Sequence, residues 1–176
     1  MNRTLLAIFF CSAVVARGEN ARDILDSAGI KGGLIVHVGC GDGKLTAALR
    51  ANDSFIVHGL DTDEKNVEAA RKHIQSLGLY GKIAVAQWDG KRLPYIENFA
   101  NVIVVSDGCR VADDEIMRVL APNGVALVGG KKTVKPRPKE IDEWTHYLHD
   151  PSNNAVAHDS VIDFLTRMQW IAGPRY

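Results

Sequence analysis

The sequence has no excess of charge of either sign and no apolar run long enough to cross a membrane. Its 21 lysines and arginines balance 21 aspartates and glutamates, which gives a formal net charge of zero. A surface dedicated to nucleic acid needs an excess of basic residues, so the composition argues against that function class. The longest apolar run covers residues 5–15, well short of the roughly 20 residues of a membrane-spanning helix. We expect no membrane span in the mature chain.

The amino terminus has the layout of a secretory signal peptide. Arg3 precedes the apolar run, and Ala16 and Gly18 place small residues three positions and one position before Glu19. This pattern predicts a signal peptide over residues 1–18 and therefore a periplasmic or extracellular protein. A buried N-terminal helix in a cytoplasmic protein is the alternative interpretation.

A glycine-rich turn follows the strand predicted over residues 34–38. It reads Gly39-Cys40-Gly41-Asp42-Gly43 and opens a predicted helix. Glycines permit positive φ and remove Cβ atoms, so the main chain of such a turn can press against a nucleotide-like ligand. A dinucleotide fingerprint would need glycine in place of Lys44, and a P-loop would need serine or threonine in place of Leu45. Neither phosphate-binding pattern fits.

The turn and the motifs after it resemble class I S-adenosylmethionine-dependent methyltransferases, in the family's order over roughly residues 21–130. Asp61 ends a second buried strand, where the family's carboxylate accepts both ribose hydroxyls, and Asp89 matches the acid near the adenine amino group. The resemblance implies S-adenosyl-L-methionine as the cofactor and methyl transfer to an unidentified acceptor. The cofactor-binding candidates that it implies are His37, Gly39, Cys40, Gly41, Asp42, Gly43, Asp61, Thr62, Trp88, Asp89 and Gly90.

Several of these candidates also have a structural interpretation. His37 stands where family members usually carry an acid that orients the methionine end of the cofactor, and it could equally be a hydrogen-bonded histidine within the strand. Asp61 and Asp89 could each cap a helix or form a turn. Trp88 suits the core or the cleft wall better than a specific adenine contact. Asp107 is a weak catalytic candidate near the transferred methyl group, and the glycine behind it favours a simple turn.

No cysteine is clearly placed as a catalytic nucleophile, and the Asn-Pro-Pro-Tyr signature of amino-group methylation is absent. Cys40 lies inside the glycine turn, where we expect a packing role, and Cys109 follows the fourth strand as a candidate exposed thiol. Since the first and fourth strands should be neighbours, a disulfide between the two is conceivable, but it would crowd the cofactor cleft. The sequence does not identify the methyl acceptor.

Apolar strands alternate with amphipathic helices, which predicts an α/β fold: a Rossmann-like, doubly wound, mainly parallel sheet truncated after strand five. Residues 63–77 form the clearest helix, with Thr62 or Asp63 as its cap and Gly78 at its carboxyl end. Ligands of such sheets bind beyond the carboxyl ends of the strands. We therefore expect the glycine turn and the acids to converge on one cleft. The predicted strands cover residues 34–38, 55–60, 83–88, 101–106 and 125–128.

The composition changes after the fifth strand. Residues 131–140 are basic and proline-rich, which predicts a solvated linker between a domain over residues 19–130 and an extension over residues 141–176. The extension resembles the opening segment of quinoprotein-type (PQQ-binding-like) β-propellers in exported bacterial proteins, which implies a C-terminal propeller domain as a partner. A non-catalytic Rossmann-like module in front of such a propeller is the alternative to a methyltransferase. An NAD-dependent oxidoreductase comes third, disfavoured by Lys44.

The extension also concentrates histidines and aspartates, and these could be taken for a metal cluster. Their spacing matches no standard zinc motif. We therefore predict turn and packing roles for them and no metal site. The residues concerned are His146, His149, Asp150, His158 and Asp159.

Overall fold

The computed structural model describes residues 20–160. The predicted signal peptide and residues 161–176 of the extension lie outside the described residues. Within the described range, no helix has both the length and the apolar character needed to cross a membrane. In chain order the elements are α1 (Ala21–Ala28), β1 (Gly33–Val38), α2 (Lys44–Leu49), β2 (Phe55–Asp61), α3 (Glu64–Ser76), β3 (Ile83–Gln87), β4 (Ala100–Val105), α4 (Asp113–Val119), β5 (Leu120–Val128) and β6 (Lys131–Val134).

The six strands form one sheet in the order β3-β2-β1-β4-β5-β6. The first five pair in parallel, and β6 pairs antiparallel with β5. The strand order reverses at β1, which lies between β2 and β4. A crevice opens at the carboxyl ends of the strands at such a reversal, because the connections on its two sides leave in opposite directions. The predicted parallel α/β fold is confirmed, and the reversal places the glycine turn after β1 at this crevice.

Both faces of the sheet are covered, which explains why its strands are apolar on both sides. Helices α1, α2 and α3 pack on one face against residues such as Ile35 and Val57. Helix α4 and the loop before β4 cover the other face, against Val36 and Ile103. Neighbours Ile35 and Val36 contribute to opposite cores because side chains alternate along a strand.

Helix α3 follows its predicted boundaries closely. The Asp63 side chain caps it by accepting a hydrogen bond from the backbone N–H of Lys65 at 2.9 Å. Gly78 follows the helix with a φ of 68°, a left-handed conformation that glycine adopts without a Cβ clash. This helix matters for the site because it packs directly behind the glycine turn.

The sheet does not stop after strand five, so the predicted truncation and the start of the predicted linker are wrong. Gly129 and Gly130 have φ angles of 52° and 75°, and two successive positive φ angles make the tight turn of a β-hairpin. The chain therefore folds back as β6, whose four residues are all exposed. The Lys132 ammonium group donates to the carbonyl of Ser27 at 2.7 Å, at the carboxyl end of α1, where a positive charge is favourable.

Strand β5 also begins earlier than predicted, at Leu120. Ala100 pairs with Leu120, and the pairing then shifts register before Val102 meets Val125. Asn123 adopts a φ of 63° within this irregularity. The residues before the predicted start of this strand at Val125 are thus a bulged part of the strand itself.

Candidate functional site

The glycine turn is anchored to the end of the neighbouring strand. The backbone N–H groups of Gly39 and Cys40 both donate to the carbonyl of Leu60, at 2.8 and 3.1 Å. The N–H of Gly43 then donates to the carbonyl of Cys40 at 2.9 Å, which closes the turn before α2. These bonds hold the main chain of the turn beside the last residues of β2.

Asp61 ties the turn to this strand through its side chain. Oδ2 accepts a hydrogen bond from the backbone N–H of Gly41 at 2.9 Å. Oδ1 accepts from the N–H of Asp63 at 3.0 Å and from the side-chain amide of Asn66 at 3.2 Å. Asp61 is 7% exposed, and its two carboxylate oxygens offer about four acceptor positions, of which these donors take three. The predicted convergence of the glycine turn and this acid is therefore present in the structure.

Gly41 and Gly43 are required for different reasons. A Cβ on Gly43 would lie 2.8 Å from both Cα and Cβ of Ala70, so the close packing of α3 leaves no room for a side chain. A Cβ on Gly41 would meet no atom within 4 Å. The missing side chain of Gly41 therefore keeps a space open next to Asp61, where a ligand could approach the main chain.

His37 is buried beneath the turn and bonds on both sides of its ring. It is 1% exposed, with Nδ1 at 2.8 Å from the hydroxyl of Thr46 in α2 and Nε2 at 2.8 Å from the hydroxyl of Ser106 after β4. Burial lowers the pKa of His37 to about 4, with Asp61 opposing the shift. At neutral pH the ring is uncharged, so one nitrogen donates and the other accepts.

This arrangement matches the second interpretation of His37, a hydrogen-bonded histidine within the strand. Both ring nitrogens are used by Thr46 and Ser106, so in this structure neither faces the cleft. Its direct contact with a cofactor stays a prediction. Its observed action is to connect α2 with the end of β4 beneath the site.

The residues after β3 approach the same cleft. A Cβ on Gly90 would lie 3.4 Å from the methyl group of Thr62, which puts the segments after β2 and β3 side by side. Trp88 is 8% exposed, and its indole N–H donates to the carbonyl of Arg92 at 2.7 Å, as suits the core or cleft wall. Asp89 is exposed and accepts from the N–H of Lys91 at 3.0 Å, a turn contact.

Comparison with known proteins identifies the family of the domain that forms this cleft. The model of the methyltransferase domain family matches residues 35–124, a little over half of the chain. The chain belongs to this methyltransferase family. The match begins in β1 and ends in β5, so it includes the glycine turn and Asp61.

Individual relatives agree with the family assignment of this methyltransferase domain. It is 34% identical over 118 residues to the demethylmenaquinone methyltransferase of Lactobacillus johnsonii, covering 62% of this chain and 48% of the relative. It is 25% identical over 150 residues to the ubiquinone/menaquinone biosynthesis C-methyltransferase of Escherichia coli, covering 79% and 60%. A solved structure assigned to the S-adenosyl-L-methionine-dependent methyltransferases, from Methanococcus maripaludis, superposes with a TM-score of 0.57 at 30% identity, covering 62% and 52%.

These comparisons confirm the predicted resemblance to S-adenosylmethionine-dependent methyltransferases. They give no support to the non-catalytic module that was its alternative. The methyltransferase domain spans about half the length of the curated relatives it matches. The family assignment alone therefore does not assign the activity and substrates of these relatives to this domain.

A turn follows β4 at the same edge of the sheet as the glycine turn. The N–H of Cys109 donates to the carbonyl of Ser106 at 3.1 Å, and Gly108 has a φ of 87°, so these residues form a turn. Asp107 is exposed on this turn. The turn expected from the glycine is present, and it leaves the carboxylate of Asp107 in solvent beside the cleft.

The two described cysteines behave as structural thiols. Cys40 is buried, Cys109 is half-buried, and both are free. A Cβ on Gly39 would collide with Sγ of Cys109, so this thiol packs against the glycine turn. Burial raises the pKa of Cys40 to about 12 and raises that of Cys109 as well. Both thiols stay protonated at neutral pH, which argues against either as a nucleophile.

Sequence reasoning missed the partners that hold the site together. Thr46 and Ser106 were not singled out, since a hydroxyl in a helix and one after a strand carry no spacing signal. Asn66 was missed for a similar reason, although its place in the first turn of α3 puts it close to the acid at the end of β2.

Proposed function

We propose that this chain binds S-adenosyl-L-methionine in the cleft between the glycine turn and Asp61 and transfers its methyl group to an acceptor. The observation that carries the proposal is the 2.9 Å hydrogen bond from Gly41 N–H to Asp61. It brings together the two motifs that, in the resemblance, contact the methionine part and the ribose. An NAD-binding site is disfavoured because Lys44 occupies the third glycine position of the dinucleotide pattern.

The residues present fit the chemistry of this cofactor. Asp61 retains about one open acceptor position, which suits a ribose hydroxyl. The open space at Gly41 allows a ligand to reach the main chain. Asp89 and Asp107 add two exposed acids around the cleft. Negative charge suits a cofactor that carries a sulfonium and an ammonium group.

The cofactor, when bound, supplies an electrophilic methyl group on a positively charged sulfur. Because transfer is a direct displacement, the chain's contribution is to position the cofactor and to accept a proton from the acceptor where one must leave. Asp107 is the candidate for that proton. His37 contributes indirectly, since it bonds Ser106, the residue that begins the turn carrying Asp107.

The proposal is tested by replacing Gly41 with alanine. The new methyl group would occupy the open space beside Asp61, so we expect the affinity for S-adenosylhomocysteine to fall about tenfold or more. Isothermal titration calorimetry measures the affinity, and chemical denaturation measures the accompanying change in stability.

Gly78→Ala is the matched control. Gly78 also has a positive φ, 68° against 52° at Gly41, and a Cβ on either glycine would meet no atom within 4 Å. Gly78 differs in location, because it follows the carboxyl end of α3. Both variants therefore carry a similar backbone cost, about 1–2 kcal/mol. Equal affinities for S-adenosylhomocysteine in the two variants would contradict the proposed cleft.

We also propose that residues 1–18 direct export and that the extension leads toward a propeller domain. The small residues at Ala16 and Gly18 after an apolar run support the first part. Amino-terminal sequencing of the mature protein from its native host is expected to begin at Glu19. A protein that retains Met1 in the cytoplasm would contradict export.

A further inference from the structure

Three side chains of the extension come together although seven and nine positions separate them in the sequence. The ligating atoms of Asp142, His149 and His158 all lie within 4.8 Å of one another. Nε2 of His149 is 2.6 Å from Oδ2 of Asp142, and Nδ1 of His158 is 3.4 Å from the same oxygen. The sequence pattern did not indicate Asp142, so its contacts with the two histidines are visible only in the structure.

We propose that these three residues form a binding site for a divalent transition-metal ion of the Zn²⁺ type. Two imidazole nitrogens and one carboxylate oxygen are ligands that Zn²⁺ prefers, and a fourth position would be left for water. With metal–ligand bonds of about 2.0 Å, ligands of a tetrahedral ion lie about 3.3 Å apart. The spacing from His158 to Asp142 already matches this value, and the closer His149 would move away by about 0.7 Å.

The buried ring of His149 supplies a second reason. His149 is 3% exposed, and its Nδ1 atom has no hydrogen-bond partner. Nε2 faces the Asp142 carboxylate and must carry a proton to bond it, because a carboxylate only accepts. Nδ1 lies 3.5 Å from Oδ2 of Asp150 without forming a hydrogen bond to it. The structure therefore leaves one buried ring nitrogen of His149 without a partner.

A metal ion on Nε2 would give this unpartnered nitrogen a role. The ion takes the place of the proton on Nε2, and the proton moves to Nδ1, where it can be donated toward Asp150. Metal-bound histidines commonly donate their second ring N–H to a carboxylate, which fixes the tautomer and the orientation of the ring.

Backbone hydrogen bonds hold the carboxylate of Asp142 in place. Its Oδ1 accepts from the N–H of Glu143 at 2.7 Å, and its Oδ2 accepts from the N–H of His158 at 2.7 Å. The side chain of His158 is 71% exposed, which leaves it free to adjust. An ion here would crosslink the two ends of residues 142–158.

The test is titration of the EDTA-dialysed full chain with Zn²⁺ by calorimetry, in the wild type and three variants. We expect one ion per chain, bound about tenfold or more weakly by His158→Ala and by Asp142→Asn. His158 is exposed, so its alanine variant should fold normally. His146→Ala is the matched control, because His146 is another exposed histidine of the same segment, and we expect its affinity to stay within about twofold of the wild type.

A second readout separates ligation from surface binding. In ¹⁵N spectra of the imidazole rings, Zn²⁺ is expected to place the proton of His149 on Nδ1. The absence of saturable binding, equal affinity in the wild type and His158→Ala, or an equal loss in His146→Ala would each overturn the proposal. None of these measurements depends on methyl transfer, so the outcome is independent of the proposed function.

Discussion

Acidification from pH 7 to pH 4 is expected to lower the free energy of unfolding by about 3 kcal/mol through His37 alone. Its pKa is about 4 in the folded chain, against 6.5 for an ordinary histidine. Between these values the unfolded chain binds a proton that the folded chain does not, so stability falls as the pH falls. The contribution of the uncharged His37 to the free energy of unfolding is fully present above about pH 6.5. A pKa difference of about 2.5, at 1.36 kcal/mol for each pKa unit, gives the stated size.

Urea denaturation between pH 7 and pH 4 measures this effect as the difference between the wild type and His37→Gln. The comparison is needed because His58 also has a pKa lowered by burial, and His58→Gln shows that share separately. At pH 7, His37→Gln should itself cost about 1–2 kcal/mol, since glutamine cannot bridge Thr46 and Ser106 in the same way. Parallel curves for the wild type and His37→Gln would show that His37 is not buried as described.

Replacement of Asp61 by alanine is expected to weaken binding of S-adenosylhomocysteine by about 1–3 kcal/mol, or roughly 5- to 150-fold. The loss has two sources. The carboxylate no longer accepts a ribose hydroxyl, and the N–H of Gly41 loses the acceptor that holds the turn in place. The second source should also lower the stability of the free protein, which denaturation measures separately.

Asp63→Ala is the control for Asp61→Ala. Asp63 is another acid, two residues after Asp61, but its side chain is exposed and caps α3 by accepting from the N–H of Lys65. Its loss should cost about 1 kcal/mol of stability and leave the affinity for S-adenosylhomocysteine unchanged. Unchanged binding in a folded Asp61→Ala variant would remove Asp61 from the cofactor site.

Much of the sheet could be predicted because burial on both faces leaves a strong pattern. The Val- and Ile-rich runs gave β1, β2, β3 and β4 to within one residue at each end. Strand β6 could not be read in the same way, because an exposed edge strand needs no apolar residues and Lys131 and Lys132 suggested a linker. The Gly129-Gly130 pair was the signal that could have indicated a hairpin.

The site was predictable only as far as topology determines it. The carboxyl ends of adjacent parallel strands must lie together, so the meeting of the glycine turn with Asp61 followed from the strand order. The partners of His37 lie 9 and 69 positions away in the sequence, and no local pattern reveals such contacts. Asp142 could not be predicted either, because it meets His149 and His158 only through the path of an irregular segment.

The most direct test of the cofactor site is calorimetric titration of the full chain with S-adenosylhomocysteine and, separately, with NAD. We expect one saturable site for S-adenosylhomocysteine, with an affinity at least about tenfold higher than for NAD, because Asp61 and the open space at Gly41 suit a ribose and Lys44 breaks the dinucleotide pattern. No binding of S-adenosylhomocysteine, or binding of NAD with equal or higher affinity, would contradict the proposed function.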